Sequence, residues 1–100
     1  MLAIIRRFRR TLERHGVKAP RIILYGSWVT GKPHPGSDID LAVVSESFAG
    51  KSYWERIGIV TAAVYEVFEP IEAIALTPDE WERGDSPMGD LAHSGQTVPG

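Results

Sequence analysis

Two carboxylates, Asp38 and Asp40, flank a single apolar residue in Asp38-Ile39-Asp40-Leu41. On a β-strand this i, i+2 spacing puts both side chains on one face, roughly 6.6 Å apart along the chain. Like charges held so close repel each other and gain little from packing. A divalent cation between them supplies a reason for the arrangement, because hard cations such as Mg²⁺ take oxygen ligands and need only a few carboxylates. Upstream of Asp38, across ten intervening residues, stands Gly26-Ser27, a small turn that exposes its backbone. The apolar run Ile22-Ile23-Leu24-Tyr25 leads into that turn, and Leu41-Ala42-Val43-Val44 follows the carboxylates. The local reading is therefore a strand, a glycine turn, a loop and a second strand that opens with two carboxylates.

The elements that must hold these residues are legible from periodicity. Leu2, Ile5, Phe8 and Leu12 recur at helical spacing with arginines on the other faces, which predicts a helix over 2–15 that stops at Gly16. Strands are expected at 21–25 and 38–44, joined through the turn-rich Gly31-Lys32-Pro33-His34-Pro35-Gly36-Ser37, and a loop over 45–50. Tyr53, Ile57, Val60, Val64 and Val67 predict a second helix, with Ser52 as N-cap and Glu55 completing a capping box. Trp54, Tyr53 and Tyr65 on it fit either helix packing or a partner surface. Pro70 ends that helix and Ile71–Leu76 reads as a third strand. Thr77-Pro78-Asp79-Glu80 has the form of an N-cap with proline at the first helical position and acids in the first turn. A further short helix is expected over 87–93 and a small edge strand at Gln96-Thr97-Val98. The order α-β-β-α-β predicts an α+β (α/β) fold, a small mixed sheet with helices packed on it.

Length and composition narrow the function classes. One hundred residues, 43% apolar and 24% charged, predict one globular domain over 1–100. With no cysteine there is neither a disulfide nor a thiolate metal site. The apolar start, Met1 to Ile5, is too short for a signal-peptide core and precedes its arginines; no run approaches the ~18 apolar residues of a membrane span. A cytoplasmic location is expected, without membrane contact. The net charge of −2 hides +7 over residues 1–32 and −9 over 33–100. The basic third reads as a solvated helix face, the alternative being contact with a nucleic acid or an acidic partner. A near-neutral total argues against nucleic acid as the primary partner.

Gly26-Ser27, the ten-residue spacer and Asp38-x-Asp40 before an apolar strand resemble the minimal nucleotidyltransferases of the DNA-polymerase-β-like superfamily. The resemblance runs from about Phe8 to the C-terminus and implies that superfamily's palm-like core. It also implies transfer of a nucleoside monophosphate, AMP from ATP, by a two-metal mechanism using two Mg²⁺ ions held by Asp38, Asp40 and a third carboxylate on the neighbouring strand. Glu72 is the candidate for that third position. It is the only acid in Ile71–Leu76, where a charge is costly unless paired or metal-bound; a Glu on a solvated strand face is the alternative. The family usually has Asp there. Gly26 and Ser27 resemble the residues that hold the triphosphate tail, through close backbone approach and a hydroxyl donor. Val29-Thr30 stand where many relatives carry a small residue and then a basic one. Lys32, or an arginine from a partner, is the candidate replacement, against a solvated loop lysine. Minimal members commonly pair with a small helical HEPN-type toxin and act as its antitoxin by placing AMP on a toxin tyrosine, so the resemblance implies such a partner. An alternative is a weak or inactive nucleotide-binding or partner-binding module that silences its partner by forming a complex. A homo-oligomer is also expected, because a small sheet with apolar helix faces is undercovered alone.

Overall fold

A computed structural model of the chain describes residues 2–26, 38–83 and 95–98. Helix α1 spans Leu2–Arg14, strand β1 Arg21–Tyr25, strand β2 Ile39–Val44, helix α2 Tyr53–Val67, strand β3 Ile71–Leu76, helix α3 Pro78–Arg83 and strand β4 Gln96–Val98. These bounds follow the periodicities closely. The expected helix over 87–93 lies outside the described residues. The expected loop after β2 instead contains a 3₁₀ turn, Glu46–Phe48, because the Ser45 hydroxyl caps it by accepting from the Ser47 N–H and Phe48 fills the core.

The strands form one sheet in the order β3-β2-β1-β4. Strand β1 is antiparallel to both β2 and β4, whereas β2 and β3 are parallel, which makes the sheet mixed as expected. Alternation sorts each strand into two faces. Ile22 of β1, Ile39, Leu41 and Val43 of β2, and Ile71 of β3 pack against Ile5, Phe8 and Leu12 of α1 and Val60, Ala63 and Val67 of α2. This is the main core. The opposite face carries a smaller cluster, Ile23, Tyr25, Ala42, Val44 and Leu76, partly covered by Trp81 of α3. Two helices thus seal one face; on the other, Asp40 is half-buried and Glu72 exposed.

Caps and ties fix the helices on the sheet. Helix α1 ends in a glycine turn, where the Val17 N–H donates to the Leu12 carbonyl and Gly16 takes φ +92°. Arg7 donates to the carbonyl of Val67 at 2.7 Å and so binds α1 to the C-terminal end of α2, where a cation also suits the helix dipole. Arg9 reaches the Val98 carbonyl at 3.1 Å, and Arg14 pairs with Glu66 at 3.1 Å. Several of the N-terminal arginines are therefore structural. The capping box read from the sequence, Ser52 with Glu55, is present, and the N-cap read at Thr77 proves reciprocal as well, with Glu80 as its partner. Among the described residues, no helix is long and apolar enough to cross a membrane.

Candidate active site

Strand register creates the site. The Ile39 N–H donates to the Pro70 carbonyl at 2.8 Å, which sets the start of the parallel β2–β3 pairing. From that start Asp40 falls opposite Glu72, and Tyr25 falls opposite Asp40 from the other side. Glu72, Asp40 and Tyr25 therefore form a row across three adjacent strands, on the face away from α1 and α2. Paired positions on neighbouring strands have their Cβ atoms only ~5 Å apart. Asp38 precedes β2 directly and is exposed.

The electrostatics are those of crowded acids. The carboxyl of Asp40 is held above its ordinary range, first by burial, then by the charge of Glu72 and a hydrogen bond shared with it, then by the charge of Asp38. Like charges crowded in this way are a cost that a bound cation would offset. The Tyr25 hydroxyl is likewise pushed up, by burial first and then by Asp40 and Glu72.

Gly26 closes the row. Its φ of +78° lies in the left-handed region, and a Cβ there would overlap the Asp40 carboxylate, with Cγ of Asp40 at 3.0 Å. Only glycine both makes this turn and leaves space for the acid. The candidate phosphate-binding glycine and the candidate metal ligand are thus in direct apposition.

Of the residues expected from the sequence, Gly26, Asp40 and Glu72 come together, and Asp38 acts on Asp40 through its charge. Ser27 and Lys32 lie outside the described residues. Among those described, no three His, Cys, Asp or Glu side chains converge as a ready cation cage. The donor set is nevertheless of the right kind: two paired carboxyls with a third carboxylate nearby are hard, anionic oxygen ligands, which fits a divalent cation such as Mg²⁺. Sequence reasoning missed Tyr25 as a member of the row. Its run Ile22-Ile23-Leu24-Tyr25 is apolar on both faces, so nothing in it marks which side faces the acids. Two larger clefts, about 540 Å³ beside Tyr53, Ile57 and Ala75 and about 710 Å³ beside Lys18, Arg21 and Glu46, do not include the acids. The row of Glu72, Asp40 and Tyr25 lies instead on the sheet face away from α1 and α2.

Comparison with known proteins agrees with this geometry. The model of the nucleotidyltransferase domain family matches residues 5–85. The chain belongs to that family, and membership supports nucleotidyl transfer as its general activity, with a nucleoside triphosphate as donor. Among solved structures, one described as a "putative nucleotidyltransferase" is 25% identical, with a TM-score of 0.67 over 95% of this chain and 97% of that one. A structure described as a "putative minimal nucleotidyltransferase" is 23% identical, with a TM-score of 0.57 over 98% of this chain and 94% of the other. A third, from Sulfolobus solfataricus, is 19% identical with a TM-score of 0.57 over 80% and 75%. The last two show likeness of fold alone. No curated protein matches the sequence.

Proposed function

We propose that this protein, a single minimal nucleotidyltransferase domain, moves AMP from ATP to a hydroxyl of a partner protein. We read that hydroxyl as a tyrosine of a small helical HEPN-type toxin, for which this chain is the antitoxin. The observation that carries the proposal is the row of Glu72, Asp40 and Tyr25 closed by Gly26. A triphosphate and a pair of unshielded carboxylates repel each other, so the site needs cations. Asp38, Asp40 and Glu72 are the residues that would hold them. When bound, a pair of divalent cations neutralises charge on the attacking and leaving oxygens of an in-line displacement.

The chain's own residues account for the rest. The left-handed turn at Gly26 brings backbone close to the acids, where a triphosphate tail would lie. Ser27, next in sequence, is assigned the role of hydroxyl donor to that tail, and Lys32 that of its counter-charge. Glu72 is exposed beside Asp40, and its longer side chain reaches out from the sheet to take the proton of an incoming hydroxyl.

One observation favours a second reading. Asp38 is exposed and outside the strand, and no three-ligand group converges among the described residues. A weak or inactive module that binds nucleotide and silences its partner by occlusion would have such a site. Calorimetric titration with ATP, with and without Mg²⁺, tests the site itself. Binding is expected only with Mg²⁺ and is expected to be lost in Asp40→Asn. Equal binding by that variant would remove Asp40 from the site.

A further inference from the structure

Strand β3 ends the sheet, and its outer side has backbone groups to spare. The order β3-β2-β1-β4 leaves it with one neighbour among the described strands. The Ile39 N–H donates to the Pro70 carbonyl and the Ser45 N–H to the Leu76 carbonyl, so the even-numbered residues of β3 turn their backbone groups toward β2. Ile71, Ala73 and Ala75 therefore turn theirs outward. The Ile71 N–H is taken by the Glu69 carbonyl, and the Ala75 carbonyl accepts from Arg56 at 3.5 Å. Among the described residues nothing pairs with the N–H and carbonyl of Ala73 or with the N–H of Ala75. Both alanines are only half-buried. A row of backbone groups left in this way is a template for another strand.

We infer that β3 docks an extended segment of the acceptor protein as a further, antiparallel strand, with a hydroxyl residue opposite Glu72. The inference rests on the reading of Glu72 as the group that receives the acceptor's proton. Register fixes where the hydroxyl falls. Glu72, Asp40 and Tyr25 form a row across β3, β2 and β1, and a strand added beyond β3 lengthens that row by one residue. The backbone of Glu72 faces β2, so its opposite residue on the added strand is in a non-hydrogen-bonded pair, where Cα atoms are ~4.5 Å apart and side chains are closest. That side chain shares the face of Glu72. Its hydroxyl oxygen bonds to the α-phosphorus, the bond from that phosphorus to the bridging oxygen breaks, pyrophosphate leaves, and the proton passes to Glu72.

The surroundings of the edge set the rest of the segment. The cleft of about 540 Å³ lies between Tyr53, Ile57 and Val60 of α2 and Ala73 and Ala75 of β3. Residues one and three places before the hydroxyl fall opposite those alanines and turn to the α2 side, so apolar side chains suit them. Charge fixes the far end. Arg56 donates to the carbonyls of both Lys51 and Ala75, which stations Lys51 near the Leu76 end of β3. Lys51 lines the cleft and makes no ion pair among the described residues. An acid four places before the hydroxyl, about 13 Å along the strand, complements it. A second copy of β3 does not answer this description, because Ile71–Leu76 contains no hydroxyl residue.

Nuclear magnetic resonance of the full chain, titrated without ATP or Mg²⁺ with a synthetic peptide of core sequence Asp-Val-Gln-Val-Tyr, tests the docking apart from the chemistry. The amide signals of Ala73 and Ala75 should shift together, and their hydrogen exchange should slow. N-methylation of the valine next to the tyrosine, whose N–H faces β3, should weaken binding on the order of tenfold. N-methylation of the glutamine, whose N–H faces away, should change it little. Ala73→Pro removes an outward N–H without touching a bond to β2, and should abolish the shifts. Lys51→Glu should weaken the peptide, and lysine in place of its aspartate should restore binding. No shift at millimolar peptide, equal loss from both methylations, or unchanged binding by Lys51→Glu would each overturn docking at this edge. The same shifts on raising the protein concentration alone would overturn it too, by placing a second copy there. Shifts as expected, with no α-phosphate label on the tyrosine once Mg²⁺ and ATP are added, would uphold the docking and overturn the transfer reading instead.

Discussion

Asp40 is the residue on which the site turns, because it is linked to Glu72, Asp38 and Gly26 alike. It shares a hydrogen bond with Glu72, feels the charge of Asp38 and occupies the space that a side chain on residue 26 would take. Two consequences can be measured. Asp40→Asn keeps the shape but removes a repelled charge, so without divalent cations it should be as stable as the wild type or more so, by up to ~1 kcal/mol. Its cation-dependent transfer should fall on the order of 100-fold or more. Gly26→Ala meets both a left-handed backbone and the Asp40 carboxylate, and should lose roughly 1–3 kcal/mol in denaturant unfolding together with its activity. An alanine variant of wild-type stability would mean that the turn is not as tight as described. The acids at 38 and 40 were legible in the sequence because like charges at that spacing need a reason. Tyr25 was not, because burial on both faces of β1 erases the alternation that would have placed it.

At the scale of elements, the sheet's edge is pinned by one carboxylate. Glu80 accepts from Arg56 of α2 at 2.6 Å and from the Thr77 N–H at 2.8 Å, while its own N–H donates to the Thr77 hydroxyl. One side chain thus caps α3 and ties it to α2. Burial pushes the Glu80 carboxyl up, but the hydrogen bonds from Arg56 and Thr77 and the charge of Arg56 outweigh it, so the group lies below its ordinary value of 4.5. A lowered carboxyl binds its proton less tightly folded than unfolded, so its contribution is complete above the ordinary value and is lost as the pH falls through the folded one. Glu80→Gln should therefore cost roughly 1–2 kcal/mol at neutral pH. The gap to the wild type should close as the pH drops below about 4.5. A gap that persists unchanged at acid pH would show that shape, not charge, holds α3. The cap at Thr77 was written in the sequence as Thr-Pro-Asp-Glu. The tie to Arg56 was not, since nothing in a local pattern brings together residues 24 positions apart. The same holds for the pairing of Asp40 with Glu72, which depends on where Pro70 sets the register.

The whole molecule divides its labour between two faces of one sheet. The face under α1 and α2 holds the larger core, and the opposite face holds a smaller one together with the paired acids. The charge asymmetry of the sequence is partly spent inside the fold, on the carbonyls of Val67 and Val98 and on Glu66. This leaves less reason to read the basic third as a nucleic-acid surface. Ligand binding should stabilise the fold as a whole, because a site assembled from three strands exists only when they pair. Mg²⁺ and ATP together should raise the unfolding temperature of the wild type but not that of Asp40→Asn. An equal rise in both would place the ligand elsewhere.

Label transfer tests the central claim most directly. The pure protein, Mg²⁺ and the product of the adjacent gene would be incubated with ATP labelled in the α-phosphate and, in parallel, in the γ-phosphate. Label on the partner protein from the α-phosphate alone is the predicted result, because nucleotidyl transfer keeps the α-phosphate and releases the rest as pyrophosphate. Label from the γ-phosphate, or none from either despite tight Mg²⁺-dependent ATP binding, would contradict it.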